Sequence, residues 1–279
     1  MLTPVPPNSR DPLRPLFDGF VGLHGVIDSI LEGTLGDAYA DDANNPRVAH
    51  IELDFHAIAG DPNAPAAVDA LRSIESSHHL AVPESWTDLL MDVRGGDLQP
   101  YERFAFSPGP WDRSTLAALR ESVPDGFVLE RITSDNVGPF EALAESLVYN
   151  FDSTDDFLAR GIGFGIFATE RDSSHSAHPA RPGGPPVGEA LVGRAAAPRT
   201  CVAGCSSYAI SSRILEFEIQ TREDHQRRGF ALVTGSRMIE HCLDNGLEPA
   251  WDAAHEGSAL LAERLGFVNR QTYTAYRLG

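Results

Sequence analysis

The residues best suited to chemistry in this 279-residue chain cluster late in it. Gln226-Arg227-Arg228-Gly229-Phe230-Ala231 opens a segment from Gly229 to Asn245 in which Leu232, Val233, Met238, Ile239, Cys242 and Leu243 recur at helical spacing. Where a tight turn feeds a helix, the first backbone N–H groups lack helical partners and point the same way as the positive end of the helix dipole. Such a start holds anions, a pyrophosphate among them. Gly229 lets the backbone approach the ligand closely, small Ala231 does not block it, and Arg227 and Arg228 add positive charge at the mouth. Taken alone, the pattern also fits an arginine-bearing turn that does nothing but start a helix.

Just upstream, Glu216, Glu218 and Gln220 alternate with Leu215, Phe217 and Ile219, so on a strand both carboxylates share a polar face. Neighbouring carboxylates raise each other's affinity for a proton, which brings one towards the range of a useful general base. A solvated or arginine-paired strand face would show the same alternation. Cys205 lies in an apolar run and reads as a small core residue rather than a nucleophile.

Positioning these groups requires a strand before the loop and a helix after it. Cys201–Ile210 and Ile214–Thr221 read as strands of a hairpin turning at Ser211-Ser212-Arg213. Asn245-Gly246 ends the helix, and a strand Pro249–Ala253, a helix Glu256–Leu265 and a last strand from Phe267 follow. Earlier, Phe127–Ile132 and Gly163–Thr169 read as strands around helices Val137–Leu147 and Thr154–Arg160. Residues 171–199, rich in proline, glycine, alanine and serine, read as a flexible insertion with room for a strand at Val187–Val192. Pro124-Asp125-Gly126 is the best boundary, dividing a smaller α/β domain, residues 1–125, from residues 126–279. The first part is expected to hold a helix at Leu16–Leu35, a strand at Ala49–Phe55, and a turn at Asp61-Pro62-Asn63 capping a helix Ala66–Ile74. Trp111-Asp112-Arg113-Ser114 introduces another helix, to Glu121.

Composition excludes several classes. A net charge of -18 repels nucleic acid and anionic lipid, and no basic stripe offsets it. No apolar run approaches the roughly 20 residues that span a bilayer. Met1 to Pro7 has no secretory pattern, so the cytoplasm is expected. All 22 basic residues are arginine, which rules out imine-forming and phosphate-loop enzymes that need a lysine. The 3 cysteines, Cys201, Cys205 and Cys242, suggest no disulfide framework. Neither they nor His78-His79, His175 and His178 form a recognisable ligand set, so no metal is expected.

From Phe127 to Gly279 the order and residues resemble the GNAT superfamily of acyl-CoA-dependent N-acyltransferases. The likeness rests on Glu218-Ile219-Gln220-Thr221, Arg228-Gly229-Phe230-Ala231, Trp251-Asp252-Ala253-Ala254 and Ala262-Glu263-Arg264-Leu265-Gly266-Phe267. These runs, with Gly204-Cys205-Ser206-Ser207-Tyr208 and an N-terminal extension containing Ala59-Gly60-Asp61-Pro62-Asn63, resemble the zwittermicin A resistance-like acetyltransferases in particular. The resemblance implies an α/β (α+β) fold whose mixed, splayed central sheet is flanked by helices, with the N-terminal part forming a wall of the acceptor pocket. Asn150 and Phe151 are expected near that pocket.

The same resemblance implies acetyl-CoA as cosubstrate. Thr221, Arg222 and Glu223, at the bulge that splays the strand, would meet the pantetheine arm, and Gln226, Arg227, Arg228, Gly229, Phe230, Ala231, Leu232 and Val233 the pyrophosphate. It further implies direct transfer to a primary amine of a small molecule, an amino-polyol antibiotic by analogy. The base is Glu218 first and Glu216 second. Where many members carry a tyrosine, this chain has Ala262, so Tyr208 or water is left to protonate the thiolate. Where many carry an asparagine near the cofactor, it has His255, which can replace that hydrogen bond, act as acid, or simply cap a helix. Two other readings stay open: an acyl-CoA-binding sensor without turnover, and a protein or peptide N-acetyltransferase. A monomer or homodimer is expected.

Overall fold

The computed structural model describes residues 1–169 and 199–279; the expected insertion up to residue 198, with the strand at Val187–Val192, lies outside the described residues. In the first part of the chain the strands are β1 (Thr3–Pro4), β2 (Asp37–Ala40), β3 (Val48–Glu52), β4 (His56–Gly60), β5 (Ser77–Ala81) and β6 (Leu98–Ser107). The helices are α1 (His24–Glu32), α2 (Ala67–Ser73), α3 (Thr87–Arg94) and α4 (Arg113–Glu121). Then come β7 (Phe127–Arg131), α5 (Val137–Glu141), α6 (Thr154–Arg160), β8 (Gly163–Ala168), β9 (Cys201–Ile210) and β10 (Ile214–Thr221). The chain ends with α7 (Phe230–Asn245), β11 (Glu248–Ala250), β12 (Asp252–Ala253), α8 (Glu256–Arg264) and β13 (Val268–Leu278).

Among the described residues, two mixed sheets result. One has 5 strands in the order β11-β10-β9-β8-β7; the other has 8, in the order β1-β2-β3-β4-β5-β13-β6-β12. Strands β12 and β13 therefore join the sheet begun before residue 126, with Tyr273 opposite Arg103 and Ala275 opposite Tyr101. Helix α7 packs its buried Leu232, Met238, Ile239 and Cys242 against Leu215, Phe217 and Phe267. Helix α1 packs Val26, Ile30 and Leu31 into the core between the sheets. All three cysteines are buried thiols.

Several expected elements break where packing demands it. The helix at Leu16–Leu35 is replaced by a 3-10 stretch, Asp11–Phe17, and α1, because Gly22 (φ 89°) and Leu23 (φ 57°) turn left-handed before His24. A Cβ on Gly22 would lie 2.5 Å from Asp252 Oδ2, so close approach to that carboxylate, which pattern does not reveal, decides the break. The strand Pro249–Ala253 divides at Trp251 into β11 and β12, which belong to different sheets. The helix Val137–Leu147 stops at Glu141 and resumes as a 3-10 turn, Glu145–Leu147. Asp61 does form its turn, accepting from Asn63 N, but α2 starts without a side-chain cap. Asp112 caps α4 through Thr115 N at 2.9 Å.

Candidate active site

Parallel pairing of β10 with β11 runs through Ile214, Leu215 and Glu216 and stops there. The next residues of the second strand, Asp252 and Ala253, pair with β6 instead. Beyond Glu216, no strand covers that edge of Phe217–Thr221 among the described residues, so the sheet opens into a cleft whose apex is Glu216. Opposite, β9 carries one extra residue: Glu216 faces Ala209 and Phe217 faces Ser207, leaving Tyr208 as the bulge. The irregularity thus lies at Glu216/Phe217 rather than at Thr221–Glu223.

Past the open edge, Arg222 N returns to Val202 O and the chain turns through Glu223–His225 to Gly229, which takes φ 86° and precedes α7 without a side-chain cap. The first helical bond returns from Val233 N to Gly229 O, so the N–H groups of Phe230, Ala231 and Leu232 have no helical partner. A Cβ on Gly229 would meet nothing within 4 Å, which leaves room above the helix start. Arg228 lies over the rings of Phe127 and Phe230, 4.8 and 5.0 Å from their centroids. The side chains of Phe230, Leu232 and Val233 are core, so only their backbone can meet a ligand. Gln226 donates to Thr221 O, and the buried Thr221 Oγ1 has no partner. Arg222 pairs with Asp224, and these two with Glu223 line a shallow depression beside the loop. An extended anionic ligand fits this arrangement, with unpaired N–H groups at one end and a bare strand edge along its length.

A cavity of about 450 Å³ lies between the sheets at the mouth of the cleft. Its β10 wall presents Glu216, Glu218 and Gln220. Glu216 is only 3% exposed; Oε2 accepts from Gly25 N at 3.3 Å, at the start of α1, while Oε1 has no hydrogen-bond partner. Burial first, then the nearby Asp252 carboxylate, push Glu216 up to about 8 against the pull of Gly25 N–H and Arg103. Gly25 must be glycine here, since a Cβ would lie 2.8 Å from Glu216 Cβ. Glu218 is better satisfied: its Oε1 accepts from Ser146 at 2.8 Å and from Gln220 at 2.7 Å. Burial still raises it, partly offset by those bonds.

The opposite wall comes from the 8-stranded sheet. Asp252 accepts from Arg103 Nε at 2.6 Å and from Tyr273 at 2.8 Å. Burial raises the Asp252 carboxyl, with Arg103 pulling it back, while burial acts most strongly on Arg103 to lower it but is outweighed by Asp252 together with Tyr273 and Tyr101, so the guanidinium stays charged. Tyr101, His79 and Arg277 complete this side. At the rim, Asp54 accepts from both Tyr149 and Tyr208, and burial holds both phenols in the neutral form.

The cavity brings Glu216, Glu218, Tyr208 and His255 together. His255 caps α8, its Nδ1 accepting from Ser258 N at 3.2 Å. Trp251 packs on Phe217 and Phe267 and donates to Ser258. Asn150 donates to Tyr208 O and Phe151 is core, so neither lines the cavity; Tyr149 does. Sequence reasoning missed Asp54, His79, Tyr101, Arg103, Tyr149 and Arg277. The signal for two was present: Tyr101 and Arg103 share one face of a run that alternates as a strand. His50, Glu52 and His56, on the β3–β4 hairpin, have ligand atoms within 4.8 Å of one another, but His50 Nε2 and His56 Nδ1 already bond each other at 2.9 Å. No helix among the described residues is long and apolar enough to cross a membrane.

Comparison with known proteins agrees with this geometry. The profile of the GNAT acetyltransferase family matches residues 14–172 and 195–276. The sequence is similar to the uncharacterized N-acetyltransferase YdfB of Bacillus subtilis (strain 168), 27% identical over 265 residues, 90% of this chain and 89% of that protein. Among solved structures, a GCN5-related N-acetyltransferase-like protein from Streptococcus suis superposes with a TM-score of 0.76 and 27% identity, over 98% of this chain and 99% of its own. A GCN5-related N-acetyltransferase from Sphaerobacter thermophilus shares the fold at a TM-score of 0.54 and 11% identity, over 99% and 94%.

Proposed function

The chain belongs to the GNAT acetyltransferase family and is an N-acetyltransferase, and from that premise we propose that it moves acetyl from acetyl-CoA to a primary amine of a small molecule. The observation that carries the reading is the open β10 edge leading to the uncapped start of α7 on one side and to the buried Glu216 on the other. Acetyl-CoA supplies the activated acyl group. Phe230, Ala231 and Leu232 N–H groups would hold its pyrophosphate, and the bare edge from Phe217 to Glu223 its pantetheine arm.

Glu216 is the better base. It stands at the apex of the cleft with one oxygen unpartnered, and a carboxyl near 8 is matched to removing a proton from an ammonium group. Glu216 takes one proton from the ammonium, the freed amine nitrogen bonds to the acetyl carbon as the C–S bond breaks, and the second nitrogen proton, released as the amide forms, passes through water to the departing thiolate. Glu218, held by Ser146 and Gln220, binds the ammonium and orients it. Purified protein given acetyl-CoA, an amine panel including an amino-polyol, and a thiol reagent should release free CoA in an amine-dependent manner. Binding of CoA with no release on any amine would overturn the proposal in favour of a sensor.

A further inference from the structure

Arg277 and His79 line the cavity but serve none of these proton transfers. They come from adjacent strands: Leu80 of β5 faces Tyr276 of β13, which places His79 beside Arg277. The Arg277 guanidinium lies 4.3 Å from the Tyr101 ring centroid, and no ion pair engages it among the described residues. His79 is 9% exposed, accepts or donates at Nδ1 with Tyr101 at 2.7 Å, and leaves Nε2 buried without a partner. With Tyr101 donating, Nε2 carries the hydrogen and offers an unused N–H beside a cation. Burial, then Arg103 and Arg277, lower His79 to about 3, so the ring is neutral.

The cavity is thus polarised. Glu216 and Glu218 stand on the five-stranded sheet; Arg277 and the His79 N–H stand on the other, where Arg103 is already matched by Asp252. A ligand that satisfies both ends carries a positive group at one and a negative group at the other. A guanidinium fork beside one N–H suits a planar carboxylate, and a single unpaired cation on this wall among the described residues, in a chain of net charge -18, is a poor host for a dianion. Resting on the acyl-transfer reading, we propose that the acceptor is zwitterionic: its amine meets Glu216 and Glu218, and its carboxylate is received by Arg277 and His79.

The sheet order gives the length. Asp252, beside Glu216, is on β12 opposite Ala105, and Arg277 is on β13 opposite Gln99, two strands across and six residues along β6, so the backbones that carry the charged groups stand about 20 Å apart and only their side chains reach towards each other in the cavity. An α-amino acid is too short, and the acceptor must carry its carboxylate at the far end of a long chain, as a long ω-amino acid or a short peptide does. The test measures CoA release with ω-amino acids of increasing chain length against their carboxamides. At one length the acid should exceed the amide in kcat/KM by about 10-fold or more, carried by KM. Arg277→Gln should bring that ratio close to unity, and Arg277→Lys should restore part of it. Equal use of acids and amides, or a variant that lowers both series alike, overturns the zwitterion while leaving acyl transfer standing. CoA release with no amine at all overturns both.

Discussion

The two walls of the cavity treat buried charge in opposite ways. On the eight-stranded sheet, Asp252 is met by Arg103 and Tyr273, and each partner is itself held in strand β6 or β13. On β10, Glu216 is equally buried but is met only by backbone N–H groups, from Gly25 and more weakly from Asp252, with no cation or hydroxyl bonded to it among the described residues. A matched buried charge is stable and unreactive, whereas an unmatched one holds on to its proton and is ready to exchange it. The cavity therefore has a structural wall and a chemical wall, and Glu216 feels both, since the Asp252 carboxylate helps to raise it.

Breaking the match should have the largest effect. Arg103→Ala leaves Asp252 buried and uncompensated, and a loss of about 3–5 kcal/mol in unfolding free energy is expected by urea denaturation. Arg103→Ala/Asp252→Asn should recover much of it. Wild-type stability in Arg103→Ala would mean that this wall is held by packing alone.

Glu216→Gln comes next, because it removes the unmatched charge. Loss of a general base predicts a fall in kcat of about 100-fold or more with CoA affinity retained, read by steady-state kinetics and calorimetry. In the wild type the base must be ionised, so activity should rise with pH through about 8, and the variant should lose that limb. Stability runs the other way. The folded state holds the Glu216 proton between the ordinary glutamate range and about 8, so wild-type stability should decline with rising pH across that window, and the variant should flatten the decline. A variant with unchanged kcat would move the base elsewhere.

These contrasts bear on what a sequence reveals. The loop from Gln226 to Ala231, β9, β10 and α6 are set by local patterning and turn chemistry, and their limits appear in the structure as expected from the residues. The polar face of Glu216, Glu218 and Gln220 was legible for the same reason, since alternation alone places it. What separates the two glutamates was not legible. Gly25 contacts Glu216 across 191 positions and Arg103 meets Asp252 across 149, distances at which no local rule operates. The break between β11 and β12 is of the same kind, because Trp251 divides one run between two sheets that only tertiary pairing defines.

Glu218 provides the smallest and sharpest test of the distinction. It shares a strand and a face with Glu216, and burial raises it too, so proximity to the cleft does not separate them. Its satisfied bonds do. In Glu218→Gln the amide oxygen still accepts from Ser146, and the change removes a charge without stranding a partner. A cost of about 1 kcal/mol or less, as a several-fold rise in acceptor KM with kcat nearly intact, is therefore expected. Measured beside Glu216→Gln, it asks whether reactivity follows the unpaired oxygen or merely the carboxylate. If Glu218→Gln proved the more damaging in kcat, the bonds from Ser146 and Gln220 would have to be read as orienting a base, and the chemical wall would be centred two residues further along β10.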